Sequence, residues 1–552
     1  MSPLCNAFNN EPENENLYCT VACIKKISLY YPRMMNQDRI SAALTGWQGI
    51  LGSARVLVGE ACIPYSRCTM ASPRRIPAVL CPQNETQVSE IVRIAARHGV
   101  PLYPISRGNN WGYGTANPVI DDCVIVDLSS MSNIVMMDEE LGMVTLQPGV
   151  TTQQLSDYIT QRNLPFLVPV TGAGPDCSLV GNALERGHGL TPHTDHFMAV
   201  QGLRAVLSDG TVYQSALAEI LGTQAGHLHK WGIGPYLDGI FTQGNFGIVT
   251  EMTIALARRP EQTGILLFAL NQEKLEDCVA AVRQLVNSFP GMIGGINLMN
   301  RLRMLAMMEG QKNIPPWTGF ATIYTTRAMW PVLRRQIHGI LKPCCGQISF
   351  FTRERTHLLQ QTAKLIPGAS GRQLRLRLSK LSELQDLVNG KPINTALRLA
   401  YKRSGTPSAD GKYNPAHDGC GLIWYSPLIP MKGPSVREYV AMIEAICPHY
   451  GIEPMITLMT FSGHCLNSTL PILFDRNVER ERAMECYNAL LTAGKERGFF
   501  PYRLNIDAMS TLVEEKQSVF WQLVKTLKQA ADPQGIIAPG RYSPIGPTIA
   551  AS

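Results

Sequence analysis

Apolar positions recur along this chain in short runs, and their spacing changes from one run to the next. Val88, Ile91, Val92 and Ala95 fall on one helical face, so a helix opening after Pro82 and stopping at Arg97-His98-Gly99 is expected. Val100–Pro104 reads as a buried strand, as do Val124–Leu128 and Val144–Val150, while Thr152–Arg162 returns to the helical period. A further helical stretch, Gln37–Leu51, precedes this alternation. Up to about residue 258 the pattern is α+β with many loops rather than a regular parallel βαβ series. Beyond it the helical runs lengthen, at Glu273–Phe289 and Pro434–Cys447, with β-like Gly421–Leu428 and a loop at Gly405–Asp418. From about residue 500 the short motifs return. The expected division is an extension over 1–70, a first domain over 71–258, a second over 259–499, and a segment over 500–552 that rejoins the first. A chain of 552 residues is too long for a single core.

The strand at Val100–Pro104 runs into Pro104-Ile105-Ser106-Arg107-Gly108-Asn109-Asn110-Trp111-Gly112-Tyr113-Gly114. Glycines there let the backbone take positive φ and approach a ligand, and successive N–H groups in such a turn form an anion nest. The spacing is neither that of a P-loop nor a well-formed G-x-G-x-x-G.

Composition narrows the reading. Apolar residues at 45% and charged residues at 17% are those of an ordinary soluble protein. Lys+Arg 50 against Asp+Glu 43 gives +7, spread along the chain, which argues against a nucleic-acid partner and suits a small anionic ligand. The 15 cysteines are scattered and odd in number, without C-x-x-C spacing, so buried thiols in a reducing compartment are expected, with no disulfide frame and no metal site. Met1–Glu15 is polar and does not read as a signal peptide, and no apolar run approaches the ~20 residues of a membrane span. Thr548–Ser552 carries no peroxisomal or prenylation signal. A soluble cytoplasmic protein without a membrane partner is expected.

Five motifs in order then resemble one family. They are Pro104–Pro118, then Gly181–Gly187 with Thr191–His196, Gly234–Gly239 with Gln243–Thr250, Pro501-Tyr502-Arg503, and Asp532–Arg541. Together, over about residues 75 to 545, the chain resembles the FAD-dependent oxidases and dehydrogenases of para-substituted phenols, the vanillyl-alcohol oxidase and p-cresol methylhydroxylase group. The resemblance implies a two-domain fold of α+β class: an FAD-binding domain built from both ends of the chain, and a cap over the flavin. Pro104, Ile105, Ser106, Arg107, Gly108, Asn109, Asn110 and Gly112 would cradle the pyrophosphate. Ser178, Gly181, Asn182, Glu185, Gly187 and Gly189 would form the second wall, with Ile248 and Val249 at the adenine side and Arg541 by the flavin N1/C2 carbonyl.

By the same resemblance, Tyr113, Tyr502 and Arg503 would bind the substrate as phenolate. Hydride loss to flavin N5 from the carbon attached para to the hydroxyl leaves a quinone methide, and is far easier from that anion. Asp195 would assist at the flavin, its bland alternative being a turn cap after Pro192. His188, His193 and His196 read as neighbours of the site rather than metal ligands. The family's tethering histidine is replaced by Leu422, so non-covalent FAD is expected, with Tyr413 and His417 as alternative tethers; Asn467-Ser468 stands where a histidine pair is expected. Several activities remain open. They are an oxidase using O2, a dehydrogenase passing electrons to a separate acceptor protein, a biosynthetic coupling or cyclising enzyme, and a non-catalytic FAD-binding subunit. A homodimer or larger assembly is implied by family analogy.

Overall fold

Asn84 accepts the N–H of Gln87 and starts helix α1 (Glu85–His98), whose Val88, Ile91, Val92 and Ala95 are all buried. Gly99 ends it in the left-handed region at φ 64. In the computed structural model, which describes residues 37–70, 72–222, 225–308, 313–409, 411–513 and 518–543, this helix belongs to the first of three main sheets. The tail Met1–Glu15 and the terminus Thr548–Ser552 lie outside the described residues. The first sheet has four strands in the order Val56–Val58, Ala78–Leu80, Val124–Asp127 and β1 (Leu102–Ile105). Leu102 also bridges Ile537 in parallel: its N–H donates to the Ile536 carbonyl, and its own carbonyl accepts from Ala538, each at 2.7 Å. The C-terminal segment thus adds to the strand that feeds the glycine loop.

A five-stranded sheet follows, in the order Ile134–Asp138, Met143–Leu146, β2 (Ile248–Ala255), Val200–Val206, Val212–Gln214. In central β2, Ile248 joins the core around α1 and Val249 the core of this second sheet. The strand expected over Val144–Val150 stops at Leu146, because Gly149 turns back to donate to the Met131 carbonyl.

The third sheet has seven antiparallel strands, in the order Gln347–Thr352, Gln262–Leu270, Trp317–Thr325, Ile293–Asn300, Thr457–Thr460, Cys465–Ser468 and Leu428–Pro430. Strand alternation gives it two faces. Leu298, Leu458 and Leu466 pack into the core with helices Leu275–Ser288 and Gly433–His449. Asn297, Met459 and Asn467 lie in register on the opposite face. That face sits on the Gly189-Leu190 loop of the N-terminal half, where the Leu190 carbonyl accepts from the hydroxyls of Thr322 (3.0 Å) and Tyr324 (3.1 Å).

Asn300 caps helix α2 (Arg301–Met307) by accepting the Arg303 N–H. Strand β3 (Cys420–Tyr425) pairs with β4 (Leu470–Asp475). Its Ile423 and Tyr425 point into the core, while Leu422 and Trp424 face the opposite way, against Trp111. Near the end of the chain, α3 (Val519–Ala531) carries Lys528, buried and paired with buried Asp532 at 2.5 Å. Asp532 accepts the N–H groups of Ile536 (3.1 Å) and Ile537 (2.9 Å), which holds the returning segment against β1. Two helices that the apolar pattern left unread, Arg353–Lys364 and Gly368–Val388, form a hairpin beside the seven-stranded sheet. The first buries only Thr356 and Ala363, so it has no apolar stripe to read.

Candidate active site

The loop after β1 is shaped by local bonds. Gly108 and Gly112 take φ of 67 and 77, and the Asn110 carbonyl accepts from Tyr113 (3.1 Å) and Thr115 (2.9 Å). Asn109 Nδ2 donates to the Asp176 carbonyl at 3.1 Å, tying the loop to the segment before the second wall. Trp424 of β3 covers Gly112 so closely that a Cβ there would lie 2.3 Å from its Cδ1. On the second wall, Ser178 Oγ accepts the Gly181 N–H at 2.9 Å and starts the short helix Leu179–Leu184. A Cβ on Gly181 would stand 3.0 Å from Ser106 Oγ, so the missing side chain is what lets wall and loop meet. Asn182 accepts from His196 Nδ1 at 2.5 Å, and Gly187 and Gly189 leave no room for a side chain beside Asn182 and His196. Loop and wall therefore meet in space, whereas the side chains of Ile248 and Val249 are enclosed in the two cores behind them.

The C-terminal segment brings the charge. Arg503 is mostly buried, its side chain 11% exposed, with its Cζ 4.1 Å from the centre of the Tyr113 ring, and it donates to Asn110 Oδ1 at 2.6 Å. Glu185 lies between two guanidinium groups, 3.4 Å from Arg503 and hydrogen-bonded to Arg541. Two cations against one carboxylate leave the cluster with a positive charge to spare. Arg541 also donates to the Tyr103 hydroxyl at 3.0 Å. The Tyr113 hydroxyl is 2.8 Å from Ser426 Oγ, just beyond β3. Burial pushes the Tyr113 phenol above its ordinary range, Tyr502 adds to this, and Arg503 opposes it. Burial pulls the Arg503 guanidinium down, but the facing Tyr113, Tyr502 and Tyr542 outweigh it and hold it above its ordinary value. Tyr502 is placed by its backbone N–H on the Ser426 carbonyl (3.2 Å) and by Gln243, which donates to its carbonyl (3.0 Å). Its ring meets Phe461 edge-on at 5.0 Å, and Phe461 stacks on His188 at 3.6 Å.

Asp195 takes the turn geometry: its Oδ1 accepts the N–H groups of Phe197 (3.0 Å) and Met198 (3.2 Å). It also pairs through the backbone with His188, which puts it beside that stack. His196 is held neutral by burial and by His188 and His193, with a pKa of about 3. Several enclosed polar atoms here have no partner among the described residues: His188 Nδ1, His196 Nε2, Arg503 Nε, Trp111 Nε1, and both amide atoms of Asn467. Buried polar groups are normally satisfied, so a cluster of orphans beside a glycine loop is the pattern of a site built around a bound molecule. These residues fit FAD: a loop of positive-φ glycines for the pyrophosphate, and Arg541 beside the wall for an anionic ring.

Ser426, Trp424 and the Glu185 bridge were not assigned these roles by the sequence. Ser426 ends an apolar run as its only serine, which was the available signal. The thiols of Cys278, Cys344 and Cys345 lie within 4.8 Å of one another, a proximity hidden by their separation in the chain. Arg303 was also missed. No helix among the described residues is long and apolar enough to cross a membrane.

Residues 76–215 match the family model described as FAD binding domain. The chain is 32% identical to 1'-carboxy-chondrochloren decarboxylase from Chondromyces crocatus, covering 92% of this chain and 98% of that one. It is 27% identical to the 4-cresol dehydrogenase [hydroxylating] flavoprotein subunit of Pseudomonas putida, covering 92% and 96%. Superposed on the crystal structure of p-cresol methylhydroxylase with substrate bound, it gives a TM-score of 0.79 at 26% identity, over 93% of this chain and 98% of that one. With the glycine loop, its facing wall and the returning arginines, these likenesses make the chain a member of the vanillyl-alcohol oxidase and p-cresol methylhydroxylase family of FAD-linked oxidoreductases.

Proposed function

We propose that this enzyme oxidises a para-substituted phenol, with Tyr113, Tyr502 and Arg503 holding the phenolate and FAD bound without a covalent link. The observation that carries the reading is the buried Arg503 guanidinium packed on Tyr113, with more cation than carboxylate around it. Such a site favours an anionic oxygen over a neutral hydroxyl. The raised phenol of Tyr113 stays protonated and serves as a hydrogen-bond donor, oriented by Ser426. The flavin, when bound, supplies the two-electron acceptor. The chain's own work is to hold the phenolate, to exclude water under the sheet face bearing Asn467, and to place Asp195 near the reacting carbon. Because Asp195 Oδ1 is engaged by two backbone N–H groups, its carboxylate is fixed in orientation. Leu422, 2% exposed among apolar neighbours, offers no nucleophile for a tether. Precipitation with acid should therefore release the yellow colour into solution.

The test is anaerobic titration with 4-ethylphenol and with 4-hydroxybenzyl alcohol, followed at the flavin's visible band. Bleaching establishes the phenol half-reaction, and admitting air then separates an oxidase from a dehydrogenase that uses another acceptor. In the Arg503→Ala variant, flavin reduction should slow by at least about 100-fold while FAD stays bound, as expected when a buried charge-assisted contact to the reacting anion is lost. Reduction at the wild-type rate would remove the phenolate clamp. Oxidative decarboxylation is a second reading, favoured by the likeness to a decarboxylase, and release of CO2 from a carboxylated phenol distinguishes it.

A further inference from the structure

Arg303 is a buried cation with no counter-ion among the described residues. It lies on α2, is 8% exposed, and its Nε and Nη1 are enclosed without an acceptor. Burial lowers its pKa, to about 10, and no carboxylate among the described residues is set against it. Its guanidinium faces the Trp424 ring, whose centre is 5.9 Å from Cζ. A buried charge without a counter-ion costs several kcal/mol, and a fold does not ordinarily keep one without a compensating partner.

The position of Trp424 says where that partner comes from. Leu422, Trp424 and Ser426 alternate along one face of β3 and its continuation, and that face roofs the Gly112-Tyr113 loop. Side chains two residues apart on a strand stand ~7 Å apart. Ser426 meets the Tyr113 hydroxyl and Trp424 meets Arg303, so one face of β3 and its continuation touches both the phenolate end of the site and the Arg303 guanidinium. Nearby, the sheet face that covers the N-terminal half carries Asn467, with its amide oxygen and nitrogen both enclosed and unpartnered. The roof of the site is thus polar and short of one anion.

We infer that Arg303 binds a carboxylate at the far end of the substrate's para side chain, so that the substrates are phenols bearing a short carboxylated substituent. A planar guanidinium matches a carboxylate in fork geometry, and the low-dielectric surroundings strengthen the pair. The inference rests on the phenol reading above and narrows it to one class of substrate.

The probes are 3-(4-hydroxyphenyl)propionate, its neutral amide, and 4-ethylphenol, each used to reduce the flavin of the holoenzyme anaerobically. The wild type should favour the carboxylate over the amide in kcat/KM by about 30-fold, the scale of a charged hydrogen-bonded contact. Arg303→Met should collapse that ratio to near one, and Arg303→Lys should restore part of it. A wild-type ratio near one, with 4-ethylphenol still reducing the flavin, overturns the inference and leaves the phenol reading standing. Reduction by none of the three removes both. A structural role makes the opposite forecast for stability: Arg303→Met would then lower the melting temperature. Relief of an unpaired buried charge raises it, and that readout requires only that the variant fold.

Discussion

Gly112 is where the FAD loop and the strand above it are locked together, and Gly112→Ala tests that lock. Two costs add. At φ 77 an alanine pays about 1–2 kcal/mol for a left-handed conformation that glycine adopts freely. Its Cβ would also sit 2.3 Å from Trp424 Cδ1 and 2.9 Å from Nε1, both on a rigid indole rather than the tip of a flexible chain. Neither partner can simply retreat, because the Trp424 N–H donates to the Gly112 carbonyl at 3.2 Å and the Gly112 N–H to Thr69 Oγ1 at 2.8 Å. Overpacking of this kind costs about 1–3 kcal/mol, so the single variant should lose about 2–5 kcal/mol in all. Trp424→Leu removes the obstacle but not the backbone strain. A double-mutant cycle with Trp424→Leu should therefore return a favourable coupling of about 1–3 kcal/mol. The assay is urea unfolding of the four proteins, with flavin retained after gel filtration as the second readout. If Gly112→Ala unfolds with the wild type and keeps its flavin, or if its penalty is the same with leucine at 424, the close contact is not what shapes this loop.

Two further outcomes follow from buried charges. Asp532→Ala leaves Lys528 unpaired in the interior and strips the acceptor from the Ile536 and Ile537 N–H groups. It should cost about 3–5 kcal/mol in urea unfolding, and a loss under 1 kcal/mol would show that the pair does not hold the returning segment. His196, buried with a folded pKa of about 3 against about 6.5 unfolded, stays neutral in the native state while the unfolded chain takes up its proton. Its contribution is full above about pH 6.5 and is lost as the pH falls towards 3, roughly 2 kcal/mol being gone by pH 5. His196→Gln should flatten that part of the stability–pH curve; an unaltered slope would place the proton uptake elsewhere.

The sequence exposed what is local. Helix α1 was marked at both ends by Asn84 and Gly99 and along its length by four buried apolar residues. The glycine loop was legible because positive φ has few residue types to draw on. The role proposed for Tyr113, Tyr502 and Arg503 came through family likeness, since nothing in their spacing brings residue 113 to residue 503. What stayed hidden depends on contacts between distant segments with no fixed period: Ser426 on Tyr113, Trp424 on Gly112, and three thiols gathered from Cys278, Cys344 and Cys345. Arg303 was invisible for a further reason. An arginine beside Arg301 near a helix start looks like an ordinary solvated charge, and only burial without a counter-ion sets it apart.

The pairing of β1 with the returning C-terminal segment has a consequence in time. Tyr103 and Arg541 are 438 residues apart, yet they share a hydrogen bond at the mouth of the site. On a ribosome adding about 5–20 residues per second, the strand that begins the glycine loop waits roughly 20–90 s for its last neighbour. Through that interval its open edge is a template for wrong pairing, and Glu185 has neither of its arginines. The cofactor site is thus among the last things this chain can assemble. A polypeptide released before Arg503 and Arg541 emerge would own the loop and the wall but not the charge that makes them a site.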